Sequence, residues 1–250
     1  MAISVRDIDH LRLTLIDPQT AASRLQQLGF TLTPEEVEPR CVCFQPALDD
    51  VPNYLELLQG DPPGLSLALN VSELDGEERI YGWETEDGAL IEAREIVGGI
   101  EGPLPWFAVR QETPDAFMEP EWIVHPNGAL GLTAIHVVAE NPRQLASELK
   151  HAWGAEMEEV FDGCMVVKTG ALELLVWASA AYQLEYQALE VTAPTTLPTV
   201  VGITVAIDRP RPLQALLRAN NVPFALAEGD RVLVAEEHVA GLMVEFLPQT

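Results

Sequence analysis

Three stretches of the chain alternate apolar and polar residues and then switch to helical spacing, each in the same order. The first, "DIDHLRLTLIDPQTAASRLQQLGF", reads as a strand, an Asp-Pro start signal and a helix. The helix carries Ala21, Ala22, Leu25 and Leu28 on one face and is closed by Gly29. Short β-like runs follow, "RCVCFQP" and "NYLELLQ". "GLTAIHVVAENPRQLASELKHAWG" repeats the plan with an Asn-Pro turn and Gly154, then "CMVVKTG" and "LELLVWA". "VGITVAIDRPRPLQALLRANNV" repeats it again, with "RVLVAEE" and "LMVEFLP".

Between the first two lies a weaker version, from Gly64 to the strand "LPWFAVRQE", in which a short helix is expected after the opening strand. This makes four units of about 50 to 60 residues, each a strand, a helix and three strands (βαβββ). One unit has one apolar sheet face and one helix, too little for a core, so units must pair. The expected fold class is α+β. Residues 1–125 form an N-terminal pair (1–60 and 64–112) with a connector, and residues 126–250 a C-terminal pair (130–180 and 198–248). Thr113–Ala129 and Leu189–Val200 read as connecting segments.

Composition narrows the class. Apolar residues make up 48% and charged residues 21%, which fits a globular chain. No apolar run is long enough to span a membrane, and the opening residues carry no basic-then-apolar leader. Three cysteines at no metal-ligand spacing suit a reducing, cytoplasmic setting. The net charge is -25, with only two lysines, so nucleic acid and anionic membrane are excluded as expected partners. Such acidity fits a salt-adapted source and an ordinary acidic cytoplasmic protein equally well.

The opening "DHLRLTLIDPQTAASRLQQLGFT" and, more specifically, "WFAVRQETPDAFMEPEWIVHPNGALGL" resemble glyoxalase-like members of the vicinal oxygen chelate superfamily. The resemblance covers nearly the whole chain. It implies two curved mixed sheets, each built from two units, with helices on the convex faces and a ligand or divalent metal in the concave face. Isomerases, dioxygenases, epimerases, lyases and drug-sequestering binders share this architecture, so the reaction stays open.

In that architecture ligands come from the first and last strand of each unit. Aligned on their turns, the units place His10, Ser66, Ala134 and Gly202 at one first-strand position, and Glu56, Gln111, Glu173 and Glu245 at one last-strand position. Strand parity turns Leu55 and Leu57 to the helix side, and Tyr54 and Glu56 to the groove. His10, Glu56 and Gln111 form the expected metal set, suited to Zn, Mn, Fe or Ni with positions open for substrate. Where the subgroup carries histidine this chain has Gln111, a weaker ligand. Glu56 is the candidate general base, and Gln111 ligates or orients a water. The C-terminal pair lacks the imidazole at this position and reads as structural or as a second pocket. His136 shares a face with Ala134 and reads as lining or capping that pocket.

Tyr54, Ser66, Trp106, Trp122, His125 and Asn127 are the candidate substrate-binding residues. The last two belong to "HPNGA", which is equally turn chemistry, and the tryptophans equally core anchors. No nucleotide cofactor is expected, because no Gly-rich phosphate loop precedes a helix, and no nucleophile elbow occurs. A dioxygenase of this kind needs two histidines and a Glu in one pair of units, which neither pair supplies. The leading expectation is a metal-dependent lyase or isomerase that stabilises an enediolate-type anion of a small oxygenated metabolite. The alternatives are a non-catalytic small-molecule binder with a degenerate metal site, and a structural role. A homodimer is compatible with each.

Overall fold

The computed structural model describes residues 4–48, 51–73, 78–84, 88, 90–96, 104–239 and 241–249. Its first unit is β1 (Val5–Leu15), α1 (Pro18–Gln27), β2 (Arg40–Leu48) and β3 (Val51–Gln59). The second is β4 (Gly64–Val71), β5 (Glu78–Glu84), β6 (Leu90–Ile96) and β7 (Trp106–Gln111). The short helix expected after β4 has its place around residues 74–77, which lie outside the described residues. A connector with a 3-10 turn (Pro114–Phe117) and α2 (Pro120–Ile123) leads to the third unit. That unit is β8 (Ala129–Ala139), α3 (Pro142–Trp153), β9 (Glu156–Phe161), β10 (Cys164–Lys168) and β11 (Glu173–Ala178). A further helix, α4 (Ser179–Glu185), precedes β12 (Thr199–Ile207), α5 (Pro210–Ala219), β13 (Ala225–Ala227), β14 (Arg231–Val234) and β15 (Met243–Pro248).

The units pair as the repeat predicts. Seven strands form one mixed sheet in the order β2-β3-β1-β4-β7-β6-β5, and eight form another, β13-β14-β15-β12-β8-β11-β10-β9. In each the two first strands meet antiparallel at the centre, and each first strand runs parallel to the last strand of its own unit. The first unit contributes three strands where four were expected, because β2 and β3 form one long hairpin after α1.

Local chemistry starts the helices. The Asp17 carboxylate accepts the Thr20 amide at 3.1 Å, Asn141 accepts that of Gln144 at 3.1 Å, and a proline follows each cap. Leu25 and Leu28, Leu145 and Leu149, and Leu213 and Leu217 then pack with one face of the strands in a core shared by both sheets. Each such leucine contributes about 1.5–3 kcal/mol by leaving water. Gly29 has φ +83°, and a Cβ there would come within 2.9 Å of Leu216 and 3.0 Å of Asn127, so glycine allows α1 to meet its neighbours closely. Among the described residues no helix is long and apolar enough to cross a membrane. The polar centres described next lie on the sheet faces opposite this core.

Candidate functional site

An irregularity in β1 begins the site. Register along β1 and β4 shifts between Ile8 and His10, a β-bulge at Asp9 that brings adjacent acidic and imidazole side chains together. Asp9 Oδ1 lies 2.8 Å from His10 Nδ1 and accepts the Gln111 amide at 2.8 Å, while Oδ2 accepts that of Asn70 at 2.8 Å. The His10 ring stacks on Tyr54 at 4.2 Å, which stacks on Phe117 at 4.7 Å, so the connector roofs this end of the groove. His10 Nε2 is buried without a hydrogen bond, as is Gln111 Oε1.

Two residues along β1, Arg12 is the register partner of Glu56. Its Nε donates to Glu56 Oε2, its Nη2 donates to Glu95 Oε1, and its guanidinium carbon lies 4.2 Å above the Phe107 ring. The Arg12 side chain is 16% exposed and Glu56 fully buried. Among the described residues, Arg12 Nη1 makes no hydrogen bond or ion pair. His10 Nε2 stands 3.6 Å from Glu56 Oε2. Burial pushes the Glu56 carboxyl upward, but His10 and Arg12 outweigh it and hold its pKa down at about 2. Burial likewise pulls His10 down, and the Asp9 and Glu56 carboxylates beside it reverse the shift, leaving it above the ordinary value.

The other expected site residues divide by face. Ser66 stands opposite Arg12 on β4, and Tyr54 lies beside His10 on β3, both toward the groove. Gln111 also faces the groove, but it turns its amide nitrogen to Asp9 and, at 3.2 Å, to the Tyr54 hydroxyl. Trp106 faces the other way, into the shared core, edge-on to Trp153 at 6.0 Å. Trp122 packs behind Tyr54, Cys41 and Cys43. His125 bridges elements of the first unit: its Nδ1 accepts the Thr31 amide at 3.0 Å and its Nε2 donates to the Cys43 carbonyl at 2.9 Å. Asn127 donates to the Leu28 carbonyl at the end of α1 and accepts the Ala129 amide, so "HPNGA" works as a backbone clamp.

Register also revises the last-strand alignment. Arg12, Ala68, His136 and Thr204 lie one step along from the aligned first-strand positions, and their partners are Glu56, Phe107, Leu175 and Glu245. Gln111 and Glu173 are therefore not equivalents of Glu56. Glu173 pairs with Ala134 and meets Lys168 at 2.7 Å on the surface. The repeated Leu-Glu-Leu is out of phase by two residues, a slip that keeps strand parity and is invisible to it. Sequence reasoning also missed Arg12, Glu95, Asp9 and Phe107. Arg12 shares groove parity with His10, a signal that was present; Glu95 required knowing how β6 pairs.

The sequence matches no family model and no curated protein. Solved structures do match over nearly all of the chain. A hypothetical protein from Staphylococcus aureus superposes with TM-score 0.62 at 9% identity, covering 97% of this chain and 99% of its own. The Mn(II)-bound glyoxalase from Novosphingobium aromaticivorans gives 0.55 at 10% identity, covering 98% of this chain and 82% of its own. A variant of homoprotocatechuate 2,3-dioxygenase from B. fuscum gives 0.59 at 11% identity, covering 99% of this chain and 72% of its own. The chain has the vicinal oxygen chelate fold.

One glyoxalase of this fold holds Mn(II), so the expected metal set of this chain can be tested against its geometry. His10 suits a metal in one respect: Asp9 fixes Nδ1 and leaves Nε2 buried without a hydrogen bond. Gln111 suits it in the same respect: its amide nitrogen is held by Asp9 and Tyr54, and Oε1 is buried without a hydrogen bond. Glu56 does not suit it, because it is ion-paired with Arg12. Among the described residues, no group of three or more His, Cys, Asp or Glu side chains is arranged to hold a metal. A guanidinium stays protonated at any ordinary pH and repels a dication at contact distance. As folded, these donors do not fit a divalent metal.

Proposed function

We propose that the chain is a small-molecule-binding protein of glyoxalase fold. It takes a small oxygenated metabolite against the concave face of the N-terminal sheet, with Arg12 in the role a metal has elsewhere. The carrying observation is the guanidinium held by Glu56 and Glu95 over Phe107, with Nη1 uncommitted among the described residues. Nη1 offers a charge-assisted donor to a carbonyl, hydroxyl or ester oxygen. Phe107 and Ser66 stand beside it as an apolar wall and a hydroxyl.

The charges set the ligand class. Arg12 faces two carboxylates, so an added anion meets net repulsion unless His10 is protonated, and a neutral oxygenated compound meets none. One observation favours the metal-dependent lyase or isomerase instead: His10 Nε2 and Gln111 Oε1 are both buried without a hydrogen bond. Thermal shifts separate the two. Neutral carbonyl and hydroxyl compounds should stabilise the wild type equally with and without a chelator, and Arg12→Met should lose that shift relative to its own baseline. Stabilisation that depends on an added divalent metal and on His10 would overturn the binding reading.

A further inference from the structure

The C-terminal sheet has a second polar centre on the face opposite the core. Glu245 there is the register partner of Thr204, as Glu56 is of Arg12. The carboxylate is nearly buried, and both of its oxygens accept hydrogen bonds. Oε1 receives Arg231 at 2.7 Å, and Oε2 receives the Thr204 hydroxyl at 2.9 Å and the Tyr186 hydroxyl at 3.0 Å. His136 completes the set. The Trp177 indole donates to its Nδ1 at 3.1 Å, so Nε2 carries the proton and donates to Thr204 at 2.7 Å.

Arg231, Thr204, His136 and Trp177 all belong to strands of this sheet, and Tyr186 does not. It comes in on a strap, residues 179–191, that leaves the end of β11 as α4 and folds back across the groove. The strap carries Tyr182 and Tyr186 into an apolar cluster with Trp177, Cys164, Leu233 and Met243. The Tyr186 ring stands edge-on to His136 at 5.6 Å and to Trp177 at 5.9 Å, and lies 5.1 Å from Tyr182. Helix α4 has seven residues and no side-chain cap, so its own hydrogen bonds do little to hold the ring in place. An aromatic box with a carboxylate acceptor at its base is a recognition set for a phenol.

We infer that this centre is a phenol-binding site whose occupant is the chain's own Tyr186. The two halves of the fold then differ in kind: the N-terminal groove presents an accessible guanidinium, and the C-terminal groove carries an internal ligand. A cavity of about 230 Å³, lined in part by Tyr182, Val191 and Val200, adjoins the strap.

The test replaces the internal phenol with a free one. Tyr186→Gly should fold with a lower Tm, and p-cresol should raise that Tm by several degrees while leaving the wild type unmoved. Toluene, which has the ring without the hydroxyl, should give a clearly smaller rise. Tyr186→Phe keeps the ring and provides a control where the glycine variant folds poorly. It should be less stable than the wild type and gain no cresol response. The inference is overturned if cresol moves neither protein or both alike, if toluene equals cresol, or if Tyr186→Phe is as stable as the wild type. None of these outcomes bears on ligands of the N-terminal groove, so the two readings fail separately.

Discussion

Arg12 and Glu56 stand side by side on parallel strands and form an ion pair in which the carboxylate is fully buried. Such a pair is weak evidence for net stability, since both ions leave water, but breaking it from one side is costly. Arg12→Met should therefore destabilise the fold by about 3–5 kcal/mol, measured by urea denaturation. Adding Glu56→Gln should recover part of that loss, because the uncompensated charge is removed. Equal, additive losses from the two changes would mean that the pair is not coupled.

Acid should destabilise the protein in two stages. Burial holds His125 and His136 at pKa values of about 4, well below the ordinary histidine value. A depressed histidine is neutral in the folded chain and takes up its proton on unfolding. The stability this gives is present above pH 6.5 and is lost as the pH falls toward 4, by up to about 1.4 kcal/mol per pH unit for each ring. His10 is shifted upward, so its contribution is fully present below pH 6.5, adds no slope there, and is lost only as pH rises through its folded value. Glu56 begins to matter below pH 4.5, and its contribution is lost as pH approaches 2. Denaturation in high salt, which screens the charge of -25, with NMR titration of the imidazoles, checks the order.

Trp106 sorts the core from the groove. It packs on Trp153 in the shared core, so Trp106→Ala should cost about 3–5 kcal/mol of stability. Ligand-induced thermal shifts, each taken from its own baseline, should match the wild type. A selective loss of the ligand response would return Trp106 to the groove.

The two halves are also tied through Asp7. This fully buried carboxylate accepts the backbone amides of Ala171 at 3.0 Å and Leu172 at 3.1 Å from the third unit, and that of Ile8 at 2.8 Å. A side chain at Gly170 would meet the Arg6 carbonyl at 2.5 Å, which explains the glycine there. Asp7→Ala leaves these amides without their acceptor and should cost about 3 kcal/mol, with faster hydrogen exchange at Ala171 and Leu172. Asp7→Asn keeps one oxygen acceptor and should cost less.

Much of this architecture was legible in the chain. The Asp17-Pro18 and Asn141-Pro142 signals, the apolar stripe Ala21-Ala22-Leu25-Leu28 and strand parity located the units, their pairing and the groove faces of His10, Tyr54 and Glu56. What escaped was set by register and irregularity. The bulge at Asp9 depends on β4 as much as on β1. The two-residue slip at Glu173 preserves alternation, and the strap carrying Tyr186 follows β11, outside the repeated strand-and-helix pattern. Arg12 stands at an alternating strand position, where a basic residue usually marks the solvated face; here it is the cation of the site.

The most direct test of the central claim is metal content. Purified wild type, incubated with excess Mn or Zn and desalted, should retain no stoichiometric metal by elemental analysis. Arg12→Ala, which removes the resident cation from beside His10, Glu56 and Glu95, should retain more than the wild type. One equivalent of metal on the wild type, lost in His10→Ala, would contradict the account.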